Sequence, residues 1–282
     1  MKRLLSIELQ KIWKNRASRI LTITYFVLLT LLSLIASIKF DIGPIHIQLA
    51  DQGIFNFPYI WHFNTYIASL LKIFLAVVIV SMMANEYSYG TLKQNLIDGM
   101  SKKEFVISKF LTVVLFAGIS TIFVFIVSLI LGLSFSDFNE PGIIFSELKY
   151  LLAYFIKLVG FFSFCLFIGI LIKRSAFSLG FLCLWFIIEK ISYPIIKYAI
   201  LRETNTHETF IDKFYTFLPL EAISNLIVEP FTRLKFVKTI ESQVGVNNLK
   251  DYDVHWYSIV IVLVWTSIFI FLSHYIIKKR DL

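Results

Sequence analysis

Four charged side chains stand inside long apolar runs, Lys72, Lys157, Glu189 and Lys190, and the first three are the candidates for chemistry. In a run that crosses a membrane, an ionised group is costly and marks a substrate path, a proton relay or an ion pair. Counted at ~1.5 Å per helical residue, Lys72 lies about 21 Å from Glu86, Lys157 about 24 Å from Lys173 and Glu189 about 22 Å from Arg174. All three therefore fall at one level, in the outer third of a bilayer. The expectation is that Glu189 pairs with one lysine and the spare positive charge faces a translocation path, the alternative being that both lysines extend their stems to the outer headgroups. Other chemistry is scarce. The chain has no G-x-x-x-x-G-K-[ST], H-E-x-x-H or G-x-S-x-G motif and no paired-cysteine motif, so no catalytic residues are expected in it. His46, His62, Asp41 and Asp51 lack the close spacing of a metal motif, and no metal is expected. Cys165 and Cys183 both sit in apolar runs and read as small packing residues.

The elements that must position these charges follow from composition. Of 282 residues, 57% are hydrophobic and only 16% charged, and the mean hydropathy is +0.76. That is too little charge to cover a soluble domain, so a membrane protein is expected. Six stretches reach the roughly 20 apolar residues that a helical span needs: about 20–38, 64–84, 110–133, 151–172, 176–195 and 257–277. The chain reads as a single transmembrane domain over 1–282 with an all-α fold of six transmembrane helices. Six basic residues precede the first run, which is longer than a signal-peptide core, so it reads as a retained span.

Charge placement gives orientation. Segments 1–19, 85–109, 173–174 and 278–282 carry fifteen Lys/Arg against five acids; segments 39–63, 134–149 and 197–256 carry nine against thirteen. Both termini and the 85–109 loop are thus expected in the cytoplasm. The net charge of +8 is explained by topology, without a nucleic-acid partner. Segment 1–19 places Leu5, Leu9, Ile12 and Trp13 on one face, with Glu8, Lys11 and Lys14 pointing elsewhere, as in an amphipathic helix lying in the membrane interface. The extracytoplasmic segment 197–256 contains "LPLEAISNLIVEP", a helix opened by Pro219 and stopped by Pro230, with Leu220, Ile223, Leu226 and Ile227 on its apolar face.

The most punctuated stretch is "NEYSYGTLKQNLIDGMSKKEF", Asn85 to Phe105. Gly90 breaks the helix leaving the second span. Thr91 and Gln94 form a T-x-x-Q capping box, Asp98–Gly99 ends the short helix, and Ser101 and Glu104 form a second box launching the third span. Leu92 and Leu96 share one face with Ile97 alongside, while Lys93 and Asn95 point away.

The pattern Glu86-x-x-x-Gly90-Thr91-Leu92, then Leu96, Gly99, Ser101-Lys102, Phe105 and Lys109, resembles the loop between the second and third spans of ABC transporter permeases of the type-2 exporter family. Lys102 stands where arginine is commoner. The resemblance implies a permease subunit in the bacterial cytoplasmic (inner) membrane that works as a homodimer or heterodimer. Each half would dock a separate ATP-binding subunit that holds ATP and Mg, while this chain is not itself an enzyme and binds no cofactor. It also implies that the short cytoplasmic coupling helix, with Glu86, Gly90, Thr91, Leu92, Lys93, Leu96, Gly99, Ser101 and Lys102, passes closure of the ATPase pair to the spans. Leu92 and Leu96 would bury in the ATPase contact or against neighbouring helices, and Lys93 and Lys102 would meet the partner's polar surface. The expected activity is export of a hydrophobic or amphipathic substrate (lipid, peptide or drug) by alternating access. Two other readings compete: an ABC-coupled membrane scaffold or sensor, and an ion-coupled secondary carrier using Lys72, Lys157 and Glu189.

Overall fold

The computed structural model describes residues 2–37, 39–42, 45–48, 52–138, 140–201, 214–244 and 250–280. Asp51, read above as a metal-ligand candidate, and parts of the 197–256 and 278–282 segments lie outside them. Helices α1 (Lys2–Lys14) and α2 (Arg16–Ser37) lead to an antiparallel hairpin of β1 (Lys39–Ile42) and β2 (Ile45–Gln48), in which Lys39 is opposite Gln48 and Asp41 opposite His46. This hairpin departs from the all-α expectation. Then follow α3 (Tyr59–Leu70), α4 (Lys72–Ser88), α5 (Thr91–Ile97), α6 (Lys102–Phe135), α7 (Pro141–Ile144), α8 (Lys149–Ile172) and α9 (Ser175–Leu201). The chain closes with α10 (Pro219–Asn225), a 3₁₀ turn at Phe231–Arg233, α11 (Lys235–Val244) and α12 (Trp256–Lys279).

Among the described residues five helices are long and apolar enough to cross a membrane, or six if α3 and α4, bent by 45°, count as one span. The bend has a local cause. At Leu71 the backbone N–H bonds Ala68 O, a tighter turn than the helical one, and leaves Lys72 as the first residue of α4. α6, with 34 residues, is about 51 Å long and overshoots the ~30 Å of hydrocarbon. Its first two turns carry Lys102, Lys103, Glu104 and Lys109.

α8 forms the centre, buried along most of its length, with α3, α4, α6, α9 and α12 packed around it. α2 lies outside α4 and α6, and α9 turns most of its surface outward. Among apolar surroundings each polar group needs a partner. Thr22, Thr30, Thr112, Thr121 and Thr266 each donate to the carbonyl four residues back. Tyr25, Ser120 and Tyr154 close a ring of three hydroxyls at 2.5, 2.9 and 2.7 Å, which joins α2, α6 and α8. Three hydroxyls in a ring can each donate once and accept once, so none is left unpaired. Cys165 is buried, Cys183 exposed, and both are free.

The start of α1 and the end of α12 lie at one end of this bundle, the terminal end, together with the turn around α5 and the turn after α8. The hairpin, α7, α10 and α11 lie at the opposite end.

Candidate functional site

At the terminal end the sequence supplies a short helix with firm ends. Gly90 takes the left-handed conformation, φ +67°, and Gly99 takes φ +96°, a region that glycine enters without penalty. At the end of α5 the Gly99 N–H bonds Leu96 O and the Met100 N–H bonds Asn95 O, the paired bonds of a Schellman ending. Ser101 and Glu104 form the expected reciprocal capping box that starts α6. The box expected at Thr91 and Gln94 does not form. Gly90 occupies the N-cap with no side-chain cap, and the Thr91 hydroxyl donates instead to Glu86 Oε2 at 2.6 Å. A buried carboxylate needs that proton more than an exposed backbone N–H needs an acceptor.

Glu86 is the hub. It is buried at the end of α4 and also accepts from Lys109 Nζ at 2.6 Å and from Lys11 Nζ at 2.9 Å. Lys109, fully buried on α6, donates as well to Glu8 Oε2 of α1 at 2.5 Å. Two lysines thus balance two carboxylates, and the four charges tie α1, α4 and α6 together with Thr91 of α5. Glu8 does not point away from the apolar face as expected; it is drawn inward to the buried Lys109, because Glu86 is already shared with Lys11 and cannot balance both lysines alone.

The inner and outer sides of α5 have separate roles. Leu92 is 2% exposed and Leu96 packs partly against the core, so both bury against neighbouring helices of this chain. Outward face Lys93 and Ile97, four residues apart, and Tyr89 stands exposed just before Gly90. Ile97 is 75% exposed. A cavity of about 350 Å³ lies between α1 and the end of α4, lined by Lys11, Asn15, Asn85, Tyr89 and Thr91 among others. Lys102 is not free for a partner, because its Nζ donates to Lys278 O at 3.2 Å and Arg280 O at 2.8 Å. Arg280 in turn donates to Ile170 O, Leu171 O and the Tyr87 hydroxyl. These bonds satisfy carbonyls left open at the ends of α8 and α12.

The three membrane-depth charges are not brought together as expected. Glu189 and the two lysines form no ion pair with one another among the described residues. Glu189 accepts from the backbone N–H of Glu221 at 2.9 Å and of Leu220 at 3.4 Å, and from Trp185 Nε1 at 2.6 Å. Lys157 Nζ donates to Ser224 O at 3.0 Å and Ile227 O at 3.5 Å. α10 is therefore held by an anion at its N-terminal end and a cation at its C-terminal end, where its unpaired N–H and C=O groups lie. Gly160 makes room for it: a Cβ there would lie 2.7 Å from Val262 Cγ1 of α12 and 3.4 Å from Ile223 Cγ1 of α10. Lys72 takes a third course, with its Nζ 4.5 Å from the centre of the Phe161 ring.

At the same end Lys149 bonds Asp253 and holds its carboxyl below the usual range, while Glu229 bonds Lys250 and raises its pKa. His62 bonds Val228 O and Arg233 rather than any metal ligand, and no group of three His, Cys, Asp or Glu side chains able to hold a metal occurs among the described residues. For Asp41 and His46 only the backbone is described.

The sequence reading passed over Glu8, Lys109 and Arg280 as site residues. A signal for Lys109 was present: Glu86 and Lys109 border the two apolar runs flanking the loop, so they lie at equal depth on adjacent helices. The family model described as "Protein of unknown function (DUF2705)" matches residues 52–191, just under half of the chain. The match takes in Glu86, Thr91, Lys109, Lys157 and Glu189 and stops short of α1, α10 and α12. No curated protein matches the chain.

Proposed function

We propose that this chain is the permease subunit of an ATP-driven ABC exporter of a bacterial cytoplasmic membrane, with six spans and both termini in the cytoplasm. It works as a dimer and moves a hydrophobic or amphipathic substrate by alternating access, with ATP and Mg on a separate subunit. One observation carries this reading. A two-turn helix stands at the terminal end, its inner face fixed by buried Leu92 and the Glu86–Thr91 bond, its outer face free with Lys93 and Ile97. The same carboxylate reaches α1 and α6 through Lys109. A push on α5 is therefore delivered to the spans as one rigid unit, because close-packed ionic and apolar contacts transmit displacement with little give. The basic flanks of this end support its cytoplasmic placement.

The test is purification of the full chain in mild detergent. The expected outcome is a co-purifying ATP-binding protein with a Walker motif, whose ATP hydrolysis rises when both are placed in lipid vesicles. Purification with no such ATPase, or with one whose rate ignores the chain, contradicts the proposal.

A further inference from the structure

The N-terminal helix roofs a second cavity, of about 510 Å³, on the side away from the charge network. That volume falls in the range of about 300–1,000 Å³ typical of small-molecule sites. Its walls are apolar: Leu9 and Trp13 of α1, Phe26 of α2, Phe116 and Ile119 of α6. Its rim is different in kind. Ser6, Gln10 and Lys14 follow one another at four-residue intervals along α1 and line the same cavity. Arg19 lies on the same stripe of α2 as the lining residues Thr22 and Phe26, one turn nearer the chain start, and is exposed. No carboxylate lines the cavity, and Glu8 is turned to the far side of α1 by Lys109.

An apolar chamber with hydrogen-bond donors and cations at one lip fits a molecule with an acyl chain and an anionic head. We infer that this cavity binds an anionic phospholipid of the leaflet at the terminal end. One acyl chain lies against Trp13, Phe26 and Phe116, the phosphate meets Lys14 and Gln10, and the rest of the head group extends toward Ser6. The lipid fixes α1 in the interface from the side opposite Lys109. The inference rests on the chain spanning a membrane and stands whether or not the chain is an exporter.

Trp13 lines the chamber and serves as the reporter. The full chain is placed in phosphatidylcholine vesicles containing, at matched mole fractions, phosphatidylglycerol or phosphatidylcholine with brominated acyl chains. The Trp13 signal is the difference between wild type and Trp13→Phe. Quenching by the brominated anionic lipid is expected to half-saturate at about fivefold lower mole fraction than by the zwitterionic one. Lys14→Gln is expected to abolish that preference and Arg19→Gln to reduce it, while Lys278→Gln, with the same charge change at the same end of the bundle, leaves it intact. Equal curves for the two lipids overturn the inference, as does a Lys14→Gln curve matching that of Lys278→Gln. Absence of Trp13 quenching by either lipid also overturns it, since protein would then cover the chamber.

Discussion

Lys109 decides whether the terminal end holds together. Its ammonium is fully buried and meets Glu8 at 2.5 Å and Glu86 at 2.6 Å. A buried ion pair adds little net stability over an apolar substitute, yet deleting one partner leaves uncompensated charge. Lys109→Met is therefore expected to cost about 3–5 kcal/mol, read as a lower denaturation midpoint in detergent. Adding Glu8→Gln and Glu86→Gln to it is expected to recover most of the loss. A midpoint unchanged in the single variant would show that the network is not under this constraint. At this scale the sequence was half legible. Glu86 and Thr91 could be picked out by motif, but their bond to each other could not, because the T-x-x-Q pattern offered Thr91 a local role that Glu86 overrides. Glu8, 101 residues from Lys109 in sequence, carried no local signal for its partner.

At the scale of elements, the instructive case is α10. Its start was readable from Pro219 and its apolar face from Leu220 and Ile223, both buried; its end was not, because the helix stops at Asn225, five residues before Pro230, and the buried Leu226 and Ile227 follow it. What holds it was not readable. Three charges at one depth suggested pairing among themselves, whereas the backbone ends of a seven-residue helix are the stronger attractors for two of them. Lys157→Met and Glu189→Gln are each expected to speed amide hydrogen exchange in residues 219–227 while leaving α8 protected. Glu189→Gln is the milder of the two, since an amide oxygen still accepts from Glu221 N–H but without charge assistance. Unchanged exchange in both variants would contradict the bracketing role. The hairpin at 39–48 was not legible because its two strands have only four residues each, too few for an alternating pattern to stand out.

For the whole molecule, the long apolar helices were legible because a bilayer calls for runs of about 20 apolar residues. The packing order around α8 and the split between the two sides of α5 depend on tertiary contacts and were not. That split moves the expected point of contact with an ATPase. Leu92 belongs to this chain's own core, so replacing it with Asp tests folding; Ile97 tests docking. The most direct measurement is the affinity of the full chain for its co-purified ATP-binding subunit, wild type against Ile97→Asp. A desolvated aliphatic anchor at the centre of an interface contributes on the order of 2 kcal/mol, about thirtyfold in Kd. The account predicts a loss of that size, with ATPase stimulation falling in parallel and an unchanged denaturation midpoint. An Ile97→Asp variant that binds and stimulates its ATPase like the wild type would contradict the assignment of α5 as the site where the force of ATP hydrolysis enters.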